Sequence, residues 1–278
     1  MDQKEGRLAR SVRLCGIAWR LVRRDRTMLA LAGLSAVFTG CAMLVLFYFG
    51  GYLHDPHPSR GRLLVVTLIA AWPLTFVGAF INVALAAAAD GELHGRRIGL
   101  RHAFAVPAGR VGQIALWSLL AAGVGQLLAQ IASRIPFGGR LATWALGAAW
   151  GLLTFFAIPV LAIEGCTAAG CVKRSGQLVR ERWGESIAGS IGISAVFGVA
   201  SIVPALLLGV GFAIAPFQPG IGIPLAAVGI VGLVVLSGAG SALRNVYSVA
   251  LYRYAVDGEA TGGFAEPDLQ HPFTKKRR

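Results

Sequence analysis

Hydrophobic and polar positions are segregated along this 278-residue chain into long blocks, without the alternation of a half-buried strand. Five runs carry no charged residue: Met28–Gly51, Leu63–Ala89, Val111–Ser133, Leu141–Ile163 and Ser186–Leu243. A bilayer-spanning helix needs ~20 apolar residues. The last run is long enough for two spans, and Pro216-Phe217-Gln218-Pro219-Gly220 supplies a turn inside it, since prolines and glycine together stop a helix. The pattern predicts an all-α fold, a polytopic membrane bundle of six transmembrane helices with spans at about 28-49, 63-89, 111-133, 141-163, 186-213 and 221-243.

The segments between the spans are amphipathic. In residues 1-27, Leu8, Val12, Cys15, Trp19 and Val22 recur at helical spacing, with Arg10, Arg13, Arg20 and Arg24 on the far side. That is the pattern of a basic helix lying in the membrane interface, with arginines reaching for phosphates. A second strip, Leu14, Ile17 and Leu21, would let the same helix pack on the bundle. Residues 28-254 form the six-helix domain, and 255-278 read as a flexible basic tail. The central stretch Phe155 to Glu185 reads as the end of the fourth span, a basic helix on the membrane face carrying Lys173 and Arg174, and the start of the fifth span. Pro73, Pro159 and Pro204 predict bends within spans. Ser237–Ser241 predicts another, with an amphipathic extension after it. Ala121/Gly125/Ala129, Gly147/Gly151 and Ser190/Ser194/Gly198 predict small-residue seams for close helix approach. Leu21-Val22-Arg23-Arg24-Asp25-Arg26 and Leu178-Val179-Arg180-Glu181-Arg182-Trp183 form a short internal likeness, each preceding a span.

Charge settles how the spans are threaded. Only 14% of residues are charged, against about a quarter in soluble domains, yet the net charge is +13. Lys and Arg number 8 in residues 1-27, 4 in 90-110, 4 in 164-185 and 6 in 239-278, while the alternate loops hold Arg60, Arg62, Arg134 and Arg140. Positive loops stay in the cytoplasm, so both termini are expected there, in a bacterial inner (cytoplasmic) membrane. Nucleic acid is excluded as the reason for the charge, because the charges flank apolar runs and no soluble domain remains to hold a duplex. Anionic lipid headgroups are the expected partners, through Arg10, Arg13, Arg20, Arg24, Lys173 and Arg174. Copies of the chain or other membrane proteins are admitted as partners through the small-residue seams.

Candidate chemistry is sparse. Cys15, Cys166 and Cys171 fall on the reducing side and Cys41 in the first span, so free thiols are expected. Val37-Phe38-Thr39-Gly40-Cys41 has the look of a lipoprotein cleavage site, but the apolar run continues past it, so retention is expected. His54-Asp55-Pro56-His57 offers too few ligands for a closed metal site, and no metal or cofactor is expected. No phosphate-cradling glycine loop or nucleophile elbow occurs, and no catalytic residue is assigned. The polar candidates gather at the inner face: Asn82, Asp90, Glu92, Glu164, Arg244 and Arg253. Steps of four put Gly78, Asn82, Ala86 and Asp90 on one helix face, where an amide seeks a neighbouring helix. Glu164 ends a kinked span; it is either a functional group or one side of a salt bridge to Lys173, Arg174 or Arg244.

Phe156-Ala157-Ile158-Pro159-Val160, Glu164-Gly165, Lys173-Arg174-Ser175 and Trp183-Gly184-Glu185 together resemble a bacterial multi-pass membrane family known only as a domain of unknown function. Trp19-Arg20-Leu21, Phe80-Ile81-Asn82 and Leu251-Tyr252-Arg253-Tyr254-Ala255 extend the likeness over most of the chain. The resemblance implies six helices and inner-membrane residence, and no established activity. The expectation is a non-enzymatic membrane-organising protein that contacts anionic lipid. The alternative is a transporter of a small solute or lipid, with a site between kinked helices near Pro73, Asn82, Pro159 and Pro204. A lipid-modifying enzyme ranks last, because no histidine accompanies the carboxylates within a span.

Overall fold

The computed structural model describes residues 7-50, 59-134, 139-180 and 197-258. The His54-Asp55-Pro56-His57 loop, Ser190 and Ser194, the Trp183-Gly184-Glu185 motif and the tail from 259 lie outside the described residues. The described chain is all helix: α1 Arg7–Arg24, α2 Arg26–Gly50, α3 Arg60–Leu93, α4 Leu100–Ala108, α5 Val111–Arg134, α6 Gly139–Leu153, α7 Ala157–Ile163, α8 Ala168–Leu178, α9 Ile202–Ile214 and α10 Pro219–Asp257. Six stretches are long and apolar enough to cross a membrane, the fourth made of α6 and α7 together. The protein is an integral membrane helix bundle.

Packing is concentrated at one end, where the arginines cluster. The second half of α3 from Ala79 to Ala89, the second half of α10 from Gly238 to Tyr252, and α7 are nearly all buried. The alanines of α3 let its neighbours approach closely. At the far end, Leu44, Tyr48, Ile69, Leu127, Phe212 and Phe217 are exposed, as side chains facing lipid tails should be. The first half of α3 is tied to α5 by Trp72 Nε1 donating to Ala115 O at 3.2 Å, and by Gln126 Nε2 reaching Thr67 O at 3.4 Å. Gln126 is therefore a packing residue.

Asp25 separates α1 from α2. Its Oδ1 accepts from Thr27 N at 2.7 Å and caps the first turn of α2. The helix α1 then lies back on α10 and α2, with Ala18 and Val22 buried and Ile17 and Leu21 packed on the core. Trp19 is 38% exposed, so the strip containing Ile17 and Leu21, joined by Val22, is the one that faces the bundle.

Three expectations about bends and seams change. The helix α10 runs unbroken through Ser237–Ser241, because α2 packs against it there and gives the chain no room to turn. The glycines of the expected seams, Gly125, Gly147, Gly151 and Gly198, make no close approach: a Cβ at any of them would meet no atom within 4 Å, although Ala121 packs on the core. Close approach is made at other glycines. A Cβ on Gly211 or Gly222 would collide with α9–α10 hairpin backbone, and one on Gly238 would sit 2.5 Å from the Ala32 carbonyl oxygen of α2. The bend at Pro159 is a full break between α6 and α7 at residues 154-156. The break leaves the N–H at the start of α7 without an acceptor in its own helix, and Ser175 of α8 supplies one: its Oγ accepts from Phe156 N at 3.0 Å, with Ser175 fully buried.

Replacing Gly238 with Val should lower stability by about 1–3 kcal/mol, the usual range for overpacking. Gly125→Ala and Gly147→Ala should leave it unchanged or slightly raised. Thermal unfolding of the detergent-solubilised protein, followed by far-UV circular dichroism, reads the difference.

Candidate functional site

Two polar contacts set the register of α3 against α10. The first is centred on Asn82, whose Oδ1 accepts from Ser241 Oγ and from Asn245 Nδ2, both at 2.7 Å. Its Nδ2 donates to Gly78 O at 2.7 Å, and Asn245 also donates to Ser241 O at 2.9 Å. The second lies eight residues further along both helices, which therefore run parallel. Asp90 takes Arg253 in a two-pronged pair, Nε to Oδ1 at 2.6 Å and Nη2 to Oδ2 at 2.9 Å. Arg253 Nη1 also reaches Asp257 Oδ2 at 3.4 Å. His94 Nδ1 lies 2.7 Å from the Asp90 carbonyl oxygen, which places a proton on that nitrogen, and 3.6 Å from Asp90 Oδ1. The predicted face carrying Gly78, Asn82, Ala86 and Asp90 is the α10-facing side of α3.

The residue before Arg253 makes a third link. Tyr252 OH donates to Glu164 Oε1 at 2.7 Å, and Arg174 Nε donates to the same oxygen at 3.1 Å. Consecutive residues of α10 thus hold the ends of α7 and α3, because neighbouring helical positions point about 100° apart. Glu164 takes the salt-bridge reading with Arg174, and neither Lys173 nor Arg244 is its partner. Arg174, expected at the headgroups, is turned toward this carboxylate.

The inner-face constellation is therefore not one site. Asn82 belongs to a buried amide-hydroxyl contact, Asp90 and Arg253 to one ion pair, and Glu164 to another. Glu92 is half-buried and makes no side-chain hydrogen bond or ion pair among the described residues. Arg244 points to a different side of α10 and, among the described residues, hydrogen-bonds only Gly240 O of its own helix, at 3.3 Å. Of the expected headgroup contacts, Arg20, Arg24 and Lys173 are exposed, whereas the side chains of Arg10 and Arg13 lie outside the described ones. Pro73, Pro159 and Pro204 join Asn82 in neither of two pockets. One, of about 270 Å³, is lined by Asp90, Arg96, Ile98, His102 and Ala162. The other, of about 370 Å³, lies between α2 and α10 and includes Arg244.

Arg110, absent from the sequence-derived candidates, closes the end of α7. Its Nη1 donates to Leu161 O and its Nη2 to Ile163 O at 3.4 Å, so it satisfies carbonyls that the helix end leaves open. Gly165 has φ +68, and a Cβ there would sit 3.1 Å from the Arg110 guanidinium carbon. The Glu164-Gly165 helix end is the sequence signal that a donor is needed; the donor itself is 51 positions away from Leu161. Next to this turn, Cys166 and Cys171 are free thiols 2.6 Å apart. Burial, helped by the hydrogen bond to Cys166, pushes the Cys171 thiol well above its ordinary range. Among the described residues no cluster of three or more His, Cys, Asp or Glu could hold a metal ion.

Asp90→Asn should destabilise by about 1.5–3 kcal/mol, the worth of hydrogen bonds to a charged group. Glu164→Gln should cost under ~1 kcal/mol, because its ion pair is about one-third exposed and the amide oxygen still accepts from Tyr252. Paired melting curves in one detergent test the ranking, and a larger loss for Glu164→Gln would reverse it. A second outcome concerns the thiols. Cys171 is buried with its thiol held protonated, whereas Cys166 is partly exposed, so maleimide at pH 7 should label Cys171 only after denaturation and Cys166 before it, as read by peptide mass spectrometry.

Neither curated proteins nor solved structures give a match. The profile of a family of unknown function, DUF6159, matches residues 63-263. That interval runs from the first turns of α3 past the end of α10, and so contains the Asn82 contact, both carboxylate links and the broken fourth span. A match over most of the chain, spanning every contact just described, means that the protein belongs to this family of multi-span membrane proteins.

Proposed function

We propose that the protein is a non-enzymatic membrane-organising protein whose cytoplasmic face holds anionic phospholipid headgroups in a belt of arginines, with both termini in the cytoplasm. The observation that carries this reading is how the charges are divided. Asp90, Glu164 and Asp257 are each engaged by an arginine of the bundle. Arg20, Arg23, Arg24, Arg26, Arg97 and Arg101 are exposed and pair with no carboxylate among the described residues. All six lie at the packed end, at the end of a span, in the α3–α4 turn or on the short helices beside them. Cations in that position are attracted to anionic lipid by about 1 kcal/mol each.

The non-enzymatic part is supported by the carboxylates themselves. Asp90 and Glu164 accept from arginine and tyrosine donors, which leaves them committed to holding helices and not to moving protons. The open glycine rows at Gly125, Gly147 and Gly151 give a second copy, or another membrane protein, room to pack. Transport between proline-kinked helices has less support, because the amide of Asn82 is already satisfied by α10 and by its own helix.

The test is thermal unfolding of the full-length protein in neutral detergent with added phosphatidylglycerol or phosphatidylcholine. Phosphatidylglycerol should raise the midpoint, and added salt should erase much of the rise. The combined variant R20Q/R24Q/R97Q/R101Q should lose most of it. Equal shifts with the two lipids would overturn the proposal.

A further inference from the structure

We infer that the pocket between α2, residues 197-201 and α10 is a binding site for one anionic phospholipid, with its phosphate on Arg244 and an acyl chain along the apolar wall. This shares only the class of lipid with the arginine belt and rests on a different residue, so either can fail alone. The pocket encloses about 370 Å³, within the ~300–1,000 Å³ typical of ligand sites. Its lining includes Arg244, Ser237, Thr39, Met43, Phe197 and Leu233.

Arg244 differs from the other arginines that touch the bundle. Arg253 and Arg174 hold carboxylates, and Arg110 holds two carbonyl groups of another helix. Arg244 has the Gly240 carbonyl of its own helix at 3.3 Å from Nε, and neither terminal nitrogen has an acceptor among the described residues. The Arg244 side chain is exposed at a pocket whose wall is otherwise largely apolar, so its guanidinium is open to an anion arriving from outside. The hydroxyls of the pocket do not compete for the anion. Thr39, Ser201 and Ser237 donate to Ser35, Phe197 and Val234 carbonyls at 2.8, 2.7 and 2.7 Å. Arg244 is thus the strong free donor of the pocket.

The order of groups along the pocket matches that of a phospholipid. Gly40 of α2 lies beside Val234 and Gly238 beside Ala36, so the two helices run antiparallel. Extending that register puts Arg244 nearer the arginine-rich end than Thr39, Met43 or Leu233. The charged group therefore sits at the rim, and the apolar lining extends toward the hydrocarbon. A headgroup phosphate and one acyl chain fit that polarity, whereas a free anion would leave the apolar part empty. Gly198 forms part of the wall and has open space where a Cβ would go.

Native mass spectrometry of the full-length protein in neutral detergent tests the site, with phosphatidylglycerol, phosphatidylcholine of the same chains, or sodium phosphate as the probe. One phosphatidylglycerol should be retained in preference to phosphatidylcholine. Arg244→Gln should weaken it roughly tenfold or more, the worth of a charge-assisted hydrogen bond, and Arg244→Lys should weaken it less. Gly198→Leu, which puts a side chain into the pocket wall and leaves the cation in place, should also weaken it. R20Q/R24Q should leave this single tight lipid in place. Retention unchanged in both Arg244→Gln and Gly198→Leu would overturn the site. Phosphatidylcholine bound equally well would overturn the role of charge. Stabilisation by sodium phosphate equal to that by the lipid would make this an anion site and overturn the lipid assignment.

Discussion

Within hydrocarbon a backbone or side-chain polar group that lacks a partner costs several kcal/mol, and that cost governs how α3 and α10 are paired. Asn82 and Asp90 are eight residues apart on α3, and Asn245 and Arg253 are eight apart on α10. A slip of one turn in either direction would strip both α3 residues of their partners at once. Neutral interhelical hydrogen bonds such as those of Asn82 are worth only ~0.6 kcal/mol each on average in membranes, and the charged Asp90–Arg253 pair more. Their effect is on register: many apolar pairings of two alanine- and valine-rich helices are nearly equal in energy, and the polar pairs separate one from the rest.

The other helices attach to this pair by different means at its two ends. At the packed end, the last turns of α10 hold α7 through Tyr252 and Glu164, while Arg110 and Ser175 supply what the break at residues 154-156 and the end of α7 leave unsatisfied. Away from that end the contacts are steric. Gly238 lets α10 lie against the α2 backbone, and Gly211, Gly222 and Gly229 do the same for the α9–α10 hairpin. The outer surfaces of these helices stay exposed and apolar, consistent with lipid completing the fold where protein does not.

The cations consequently fall into distinct groups. Arg110, Arg174 and Arg253 are part of the scaffold, because each joins two elements. Arg20, Arg23 and Arg24 of α1, Arg96 and Arg97 of the α3–α4 turn and Arg101 of α4 remain outside it and are exposed. Arg244 stands between these cases, attached to the bundle yet without a counter-ion among the described residues. Replacing a scaffold arginine and replacing a surface one are therefore different experiments, although composition treats them alike.

Residue pattern alone was enough for the number of spans, their order and the face of α3 that carries Asn82 and Asp90. Those features follow from helix periodicity and from the length of apolar runs, both local properties of a chain in lipid. It was enough, too, for the packing role of Asn82 and for Arg174 as one of three expected partners of Glu164. Tertiary structure was needed for Arg110 on the α7 carbonyls, Ser175 on Phe156, Tyr252 on Glu164, and the departure of Arg244 from the carboxylate cluster. Each of these depends on which side of one helix meets which side of another across tens of residues. The small-residue rows show the same limit: Gly125 and Gly238 look equivalent in a sequence, and only the position of α2 makes the second indispensable.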